Sequence, residues 1–243
     1  MRLLVTRPEP EATRTAERLR ALGHEPVMAP LLETVFLDPP RPAFEPAAIL
    51  LTSGNGLRGL MRWPESRGWI DAPVLAVGDR TAEAARAAGF TDVWSADGDG
   101  EALASLAIES LDPNNGTLLY PAAVDRAGHW PERLITAGFT LSLVETYRMD
   151  PVARLPNRVE DDLHQGRIDG ILLYSPRTAK TFVKMVGRLD PQPPLDHLSI
   201  YALSPNVASA LTFGTAFIAS EPTDDALLAL IPKSMGTSPS GVR

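Results

Sequence analysis

The chain repeats itself in the order a, b, a′, b′. Segment a, from Leu3 to Thr34, reads LLVTRP, then a helix-like stretch with ERL and a glycine, then a strand closing on Glu33-Thr34. Segment a′, from Leu118 to Thr146, runs LLYPAA, ERL at Glu132 to Leu134, Gly138, a strand, and Glu145-Thr146. Segment b opens ILLTSGN at Ile49 and returns as ILLYSPR at Ile171. It continues as VLAVGDRTAEAA at Val74 and IYALSPNVASAL at Ile200, and ends with EALASLA at Glu101 and DALLALI at Asp225. Repeats of this size predict two similar domains of about 110 to 120 residues each, which usually hold a ligand between them.

Each segment follows βαβ grammar. Leu3 to Thr6 is a short apolar run bounded by Arg7-Pro8, so it reads as a buried strand. Pro10 suits a helix start, Ala12, Ala16, Leu19 and Leu22 share a helical face, and Gly23 is a stop. Repeated along the chain, this grammar predicts ten strands, five per domain, as two flavodoxin-like α/β domains with parallel five-stranded sheets require.

Loop lengths bear on the pairing. The connection from b to a′, Leu111 to Gly116, is short, whereas those from a to b and from a′ to b′ are long and carry Pro39-Pro40-Pro42 and Pro151-Pro156. Short connections usually stay inside a domain. This predicts a discontinuous domain of residues 1–35 and 151–232, with residues 37–148 inserted as the second. The crossings near Val35-Phe36 and Tyr147 to Pro151 would then run antiparallel as a two-stranded ladder joining the domains. The tandem pairing, a with b and a′ with b′, stays open. Residues 233–243, rich in Ser, Gly and Pro, read as a disordered tail.

Several function classes recede. A net charge of −7 with no Lys/Arg-rich run argues against nucleic-acid binding. Without cysteine there is no disulfide, thiolate catalysis or Cys-ligated metal. No apolar run approaches the roughly 20 residues that span a bilayer, and a strand-like run follows Met1 at once, so no signal peptide is expected and the location expected is cytoplasmic. His24, His129, His164 and His197 lack metal-ligand spacing. Asp97, Asp99 and Glu101 read as a turn before a helix, and Glu160-Asp161-Asp162 as a solvated helix face.

In open parallel sheets, ligands bind beyond the carboxyl ends of the strands. There the chain places Thr6-Arg7-Pro8, Thr52-Ser53-Gly54-Asn55, Gly78-Asp79-Arg80-Thr81, Pro121, Ser175-Pro176-Arg177-Thr178 and Ser204-Pro205-Asn206. Small and hydroxyl-bearing residues at helix starts leave backbone N–H groups and the positive dipole end free for anions, including carboxylates. Each of these residues also serves as an ordinary helix cap, and each arginine as a solvated surface charge. Their recurrence favours binding. Tyr120, Tyr147, Tyr174 and Tyr201 fall at strand ends or crossings, where packing is the alternative.

LLVTRPEPEA, ILLTSGN, VLAVGDRTAEAARAAGF, ETYRM, ILLYSPRTA and YALSPNVA, in that order, resemble the uroporphyrinogen-III synthase family over about residues 1 to 232. The resemblance implies two flavodoxin-like domains joined by a two-stranded ladder, and a cofactor-free hydro-lyase. Its substrate would be hydroxymethylbilane, a linear tetrapyrrole with eight carboxylates. Loss of water gives an azafulvene cation, ring D inverts through a spiro-pyrrolenine, and the macrocycle closes as uroporphyrinogen III. A monomer is implied, with possible hand-over from the preceding enzyme of porphyrin and heme biosynthesis, and with no metal, nucleic-acid or membrane partner. The family often places a tyrosine in the cleft; before Gly166 this chain has Asp161, Asp162, Leu163 and His164, so that residue does not carry over. Tyr147 is the remaining catalytic candidate. The alternative is a two-domain binding protein that closes on an anionic metabolite without chemistry.

Overall fold

A computed structural model describes residues 1–126 and 128–232; the tail expected at 233–243 lies outside the described residues. Clustering of contacts divides the chain into two compact units: Met1–Glu33 with the chain from Asp150 onward, and Thr34–Met149.

The elements run β1 (Arg2–Val5), α1 (Glu11–Ala21), β2 (Glu25–Met28), β3 (Leu32–Phe36), β4 (Ala48–Leu51), α2 (Gly54–Leu60), β5 (Val74–Ala76) and α3 (Asp79–Ala87). They continue as β6 (Val93–Ser95), α4 (Gly100–Ser110), β7 (Thr117–Ala123), α5 (Trp130–Thr136), β8 (Thr140–Pro151) and α6 (Asn157–His164). The last are β9 (Gly170–Leu173), α7 (Pro176–Val186), β10 (Ser199–Ala202), α8 (Pro205–Ala208), β11 (Thr215–Ile218) and α9 (Asp224–Ala229).

The first unit holds a parallel sheet in the order β11-β10-β9-β1-β2. Leu3, Leu4 and Val5 of its central strand are all fully buried, because both faces of the sheet are covered. Leu4 packs with Ile171, Phe182 and Ile200 on one face; Leu3 and Val5 pack with Leu19, Leu172 and Leu227 on the other. The second unit's sheet runs β3-β8-β7-β4-β5-β6, and β8, β7, β4, β5 and β6 pair parallel. In terms of the repeat, both sheets place two strands of an a segment beside three of a b segment in the same spatial order. The second unit takes b before a′ along the chain, so it is a circularly permuted copy of the first.

The expected count of ten strands becomes eleven among the described residues, since Leu32–Phe36 forms a separate strand beside β8. Leu37 N donates to Thr146 O and Val152 N to Leu31 O, and β8 runs on past Glu145-Thr146, where segment a′ closes, to Pro151. Pro121 also sits differently: it lies inside β7 rather than in the loop after it. A proline is tolerated there because β7 pairs with β4 only at Leu118 and Leu119, so its missing N–H removes no bond on that side.

Asp162 corrects the reading of Glu160-Asp161-Asp162 as a solvated face. Its side chain is 2% exposed and accepts from Arg167 Nε at 2.7 Å and Arg2 Nη2 at 2.9 Å. Burial alone would raise its pKa, but the bonds from Arg167 and Arg2 prevail and hold it below the usual carboxylate range.

Candidate active site

In the second unit, β4 ends at Thr52-Ser53, and Ser53 caps α2 by accepting from Gly56 N at 3.1 Å. Glycine is required at the next turns. A Cβ on Gly56 would lie 2.6 Å from Pro121 O, and one on Gly59 would lie 2.5 Å from Thr146 Oγ1. The bare face of α2 therefore lies close against β7 and β8. This approach brings Ser53 Oγ within 2.9 Å of Tyr147 Oη and Thr52 Oγ1 within 3.1 Å of Tyr120 Oη.

The four groups line a cleft of about 560 Å³ that also includes Gly98, Arg126 and Trp130. The Tyr120 ring packs on Trp130 with centroids 4.8 Å apart. Tyr120 and Tyr147 are both buried, and burial raises both phenol pKa values. For Tyr120 the bond with Thr52, and for Tyr147 the bond with Ser53, opposes this without reversing it. Both phenols therefore stay protonated at neutral pH. Either hydroxyl of the Ser53–Tyr147 pair can donate, and when Ser53 Oγ donates, the phenol's own proton is available to a ligand. Arg126 bridges Ala123 O at 2.6 Å and Glu145 Oε1 at 2.8 Å, placing a cation at the cleft.

The remaining expected site residues divide. Gly54 is exposed, and Asn55 donates to Thr34 Oγ1 at 3.4 Å. Gly78 precedes α3, Asp79 and Arg80 are exposed in its first turn, and Thr81 is buried. In the first unit, Thr6 is fully buried and donates to Leu172 O at 2.6 Å, tying β1 to β9. Arg7 binds both carboxylate oxygens of Asp224, at 2.8 and 2.9 Å, and lies 4.0 Å from the Tyr174 ring centroid; Pro8 follows half-buried. Arg7 is thus engaged in holding the β1 loop to α9. Ser175 caps α7 through Thr178 N at 3.1 Å, with Pro176 in the first turn and Arg177 exposed. Ser204 makes no side-chain cap bond, and Pro205 and Asn206 are exposed on the short α8. Tyr201 is core, stacked on Phe217. Sequence reasoning missed Trp130, Arg126 and Asp224: Asp224 meets Arg7 across 217 residues, and Trp130 and Arg126 belong to no motif that marks them for the cleft.

Among the described residues no group of three His, Cys, Asp or Glu side chains is arranged to hold a metal, and no helix is long and apolar enough to cross a membrane.

The family model described as uroporphyrinogen-III synthase HemD matches residues 13–229. A porphyrin biosynthesis protein HemD from Ruminiclostridium josui is 27% identical over 223 residues; the match covers 86% of this chain, which spans 43% of that protein's length. Two solved structures share the fold. Uroporphyrinogen-III synthetase from Helicobacter pylori aligns with TM-score 0.62 at 14% identity, covering 94% of this chain and 96% of the other. A mutant uroporphyrinogen III synthase from Thermus thermophilus aligns with TM-score 0.52 at 18% identity, covering 95% and 96%. With the family match running from α1 to α9 and so through both units, the chain belongs to the uroporphyrinogen-III synthase family.

Proposed function

We propose that the chain cyclises hydroxymethylbilane to uroporphyrinogen III, with loss of water and inversion of ring D. The observation that carries this reading is the Ser53–Tyr147 pair, a phenol kept protonated by burial and oriented by a hydroxyl at a strand end. The hard step is positioning, since unguided closure gives the uninverted type I isomer, and an enzyme that folds a flexible chain acts mainly through proximity and orientation. Tyr147 donates its proton to the departing hydroxyl, which leaves the hydroxymethyl group as water and so generates the azafulvene cation. The phenolate recovers a proton when the last pyrrole regains aromaticity after the spiro-pyrrolenine step. Tyr120 and Thr52 extend the polar wall. Backbone amides at the starts of α2 and α3 receive substrate carboxylates, with Ser53 and Gly78 shaping those turns.

On this reading the enzyme is a monomeric, cytoplasmic hydro-lyase that works without metal or organic cofactor and takes its short-lived substrate from the enzyme that makes it. Both units are flavodoxin-like. The strands β3 and β8, in which the chain passes from one unit to the other, act as a two-stranded connector. The test is a coupled assay with freshly generated hydroxymethylbilane and chromatographic separation of the oxidised isomers. Type III should dominate. Tyr147→Phe should lower kcat about a hundredfold, the low end for a general acid. Type I alone, at the protein-free rate, would reject the reading. Type III made equally fast by Tyr147→Phe would reject Tyr147 as the acid.

A further inference from the structure

The outer face of α7 carries a second feature. Arg177, Lys180 and Lys184 stand at i, i+3 and i+7, on one side of the helix, and Arg188 continues the row past its end. The row is about 16 Å long at the helical rise. These four cations line a groove of about 400 Å³ whose walls include Val152 and Met185 and no acidic residue. Among the described residues, Lys180, Lys184 and Arg188 have no ion-pair partner. The concentration occurs in a chain of net charge −7.

Helix stability does not account for it. Cations favour the last turn of a helix, which explains Lys184 and Arg188. Lys180 repels Lys184 one turn away. A bound polyanion would offset that penalty. The apolar wall suits a ligand whose charges surround a greasy body.

We propose that the α7 groove binds the carboxylate side chains of a tetrapyrrole, attracting the polyanion to the first unit and holding it by its periphery. The assignment of ligand class rests on the proposed function. The probe is uroporphyrin I, an unreactive octacarboxylate, followed by its fluorescence at about 0.1 M ionic strength, where the Debye length is about 10 Å. Lys180→Ala/Lys184→Ala should raise its Kd about tenfold, the low end of electrostatic focusing. Arg14→Ala/Arg20→Ala removes the same charge from exposed positions on α1 and should raise it by no more than about twofold, since charges beyond a Debye length are screened. Alanine exceeds lysine and arginine in helix propensity, so neither variant should unfold. Lys180→Arg/Lys184→Arg should retain binding.

Equal effects of the two alanine variants would overturn the groove. Displacement of the porphyrin by inorganic phosphate at matching concentration would assign it to anions at large and overturn the tetrapyrrole assignment. The titration needs no turnover. A protein that makes no type III isomer but shows this dependence would reject the proposed reaction and leave the groove standing.

Discussion

Replacing Asp162 tests how far one buried carboxylate holds the first unit together. The carboxylate receives charge-assisted bonds from Arg167 and Arg2, and Arg2 also reaches Glu25 Oε1 at 3.1 Å. Removing one partner of a fully buried pair costs about 3–5 kcal/mol. Here Asp162 is buried but the Arg2 and Arg167 side chains are 22% and 44% exposed, so water can re-solvate both guanidinium groups. That lowers the expectation to about 2–3 kcal/mol for Asp162→Ala, and about 1–2 kcal/mol for Asp162→Asn, which keeps one acceptor. The first unit lies between the size classes that lose ~4–8 °C and ~2–4 °C per kcal/mol, so at roughly 4 °C per kcal/mol Asp162→Ala should lower the far-UV circular dichroism midpoint by about 8–12 °C. The pH dependence has a definite sign. The folded pKa is depressed, so the contribution is full above the unfolded value of about 3.9 and vanishes as pH falls through the folded value. The gap between wild type and variant should therefore be constant from about pH 5 to 7 and close in stronger acid. A shift under about 2 °C at pH 7, or a gap that persists in acid, would refute the argument.

Gly59→Ala sets a Cβ against Thr146 Oγ1 at 2.5 Å and should destabilise the second unit by about 1–3 kcal/mol in urea unfolding, whereas Gly54→Ala, with nothing within 4 Å, should change it by under about 0.5 kcal/mol. Equal effects would mean that α2 does not lie as close to β8 as described. His24 is 5% exposed with neither ring nitrogen hydrogen-bonded, and burial lowers its pKa. Below about pH 6.5 the unfolded chain takes up a proton that the folded chain excludes, so stability should fall as pH drops from there through the folded pKa. His24→Leu should remove that slope in denaturant titrations at a series of pH values; an unchanged slope would place its origin elsewhere.

Local chemistry was legible in the sequence. The buried runs of β1, β4 and β9 announce themselves as three or four apolar residues between polar ones, and a parallel α/β sheet follows. Ser53, Asp99 and Ser175 act as caps because the N–H groups they satisfy lie two or three residues away. The hydroxyl-rich strand ends were visible for the same reason. The side-chain geometry built on them was not. Ser53 meets Tyr147 across 94 residues and Thr52 meets Tyr120 across 68, because β4, β7 and β8 adjoin in the sheet while lying far apart in the chain.

Arg7 shows the divide most sharply. By itself it is a cation at a strand end, equally suited to a carboxylate ligand or to solvent. Only the placement of α9 beside β1 supplies Asp224, 217 residues away. Asp162 reads as one of three acids on a polar helix until β1 delivers Arg2 from 160 residues upstream. Periodicity, caps and breakers are short-range properties of the chain and determine which elements form. Which elements become neighbours is decided by closing both sheets and burying both of their faces, and that long-range choice selects the partners of every charged and phenolic group discussed above.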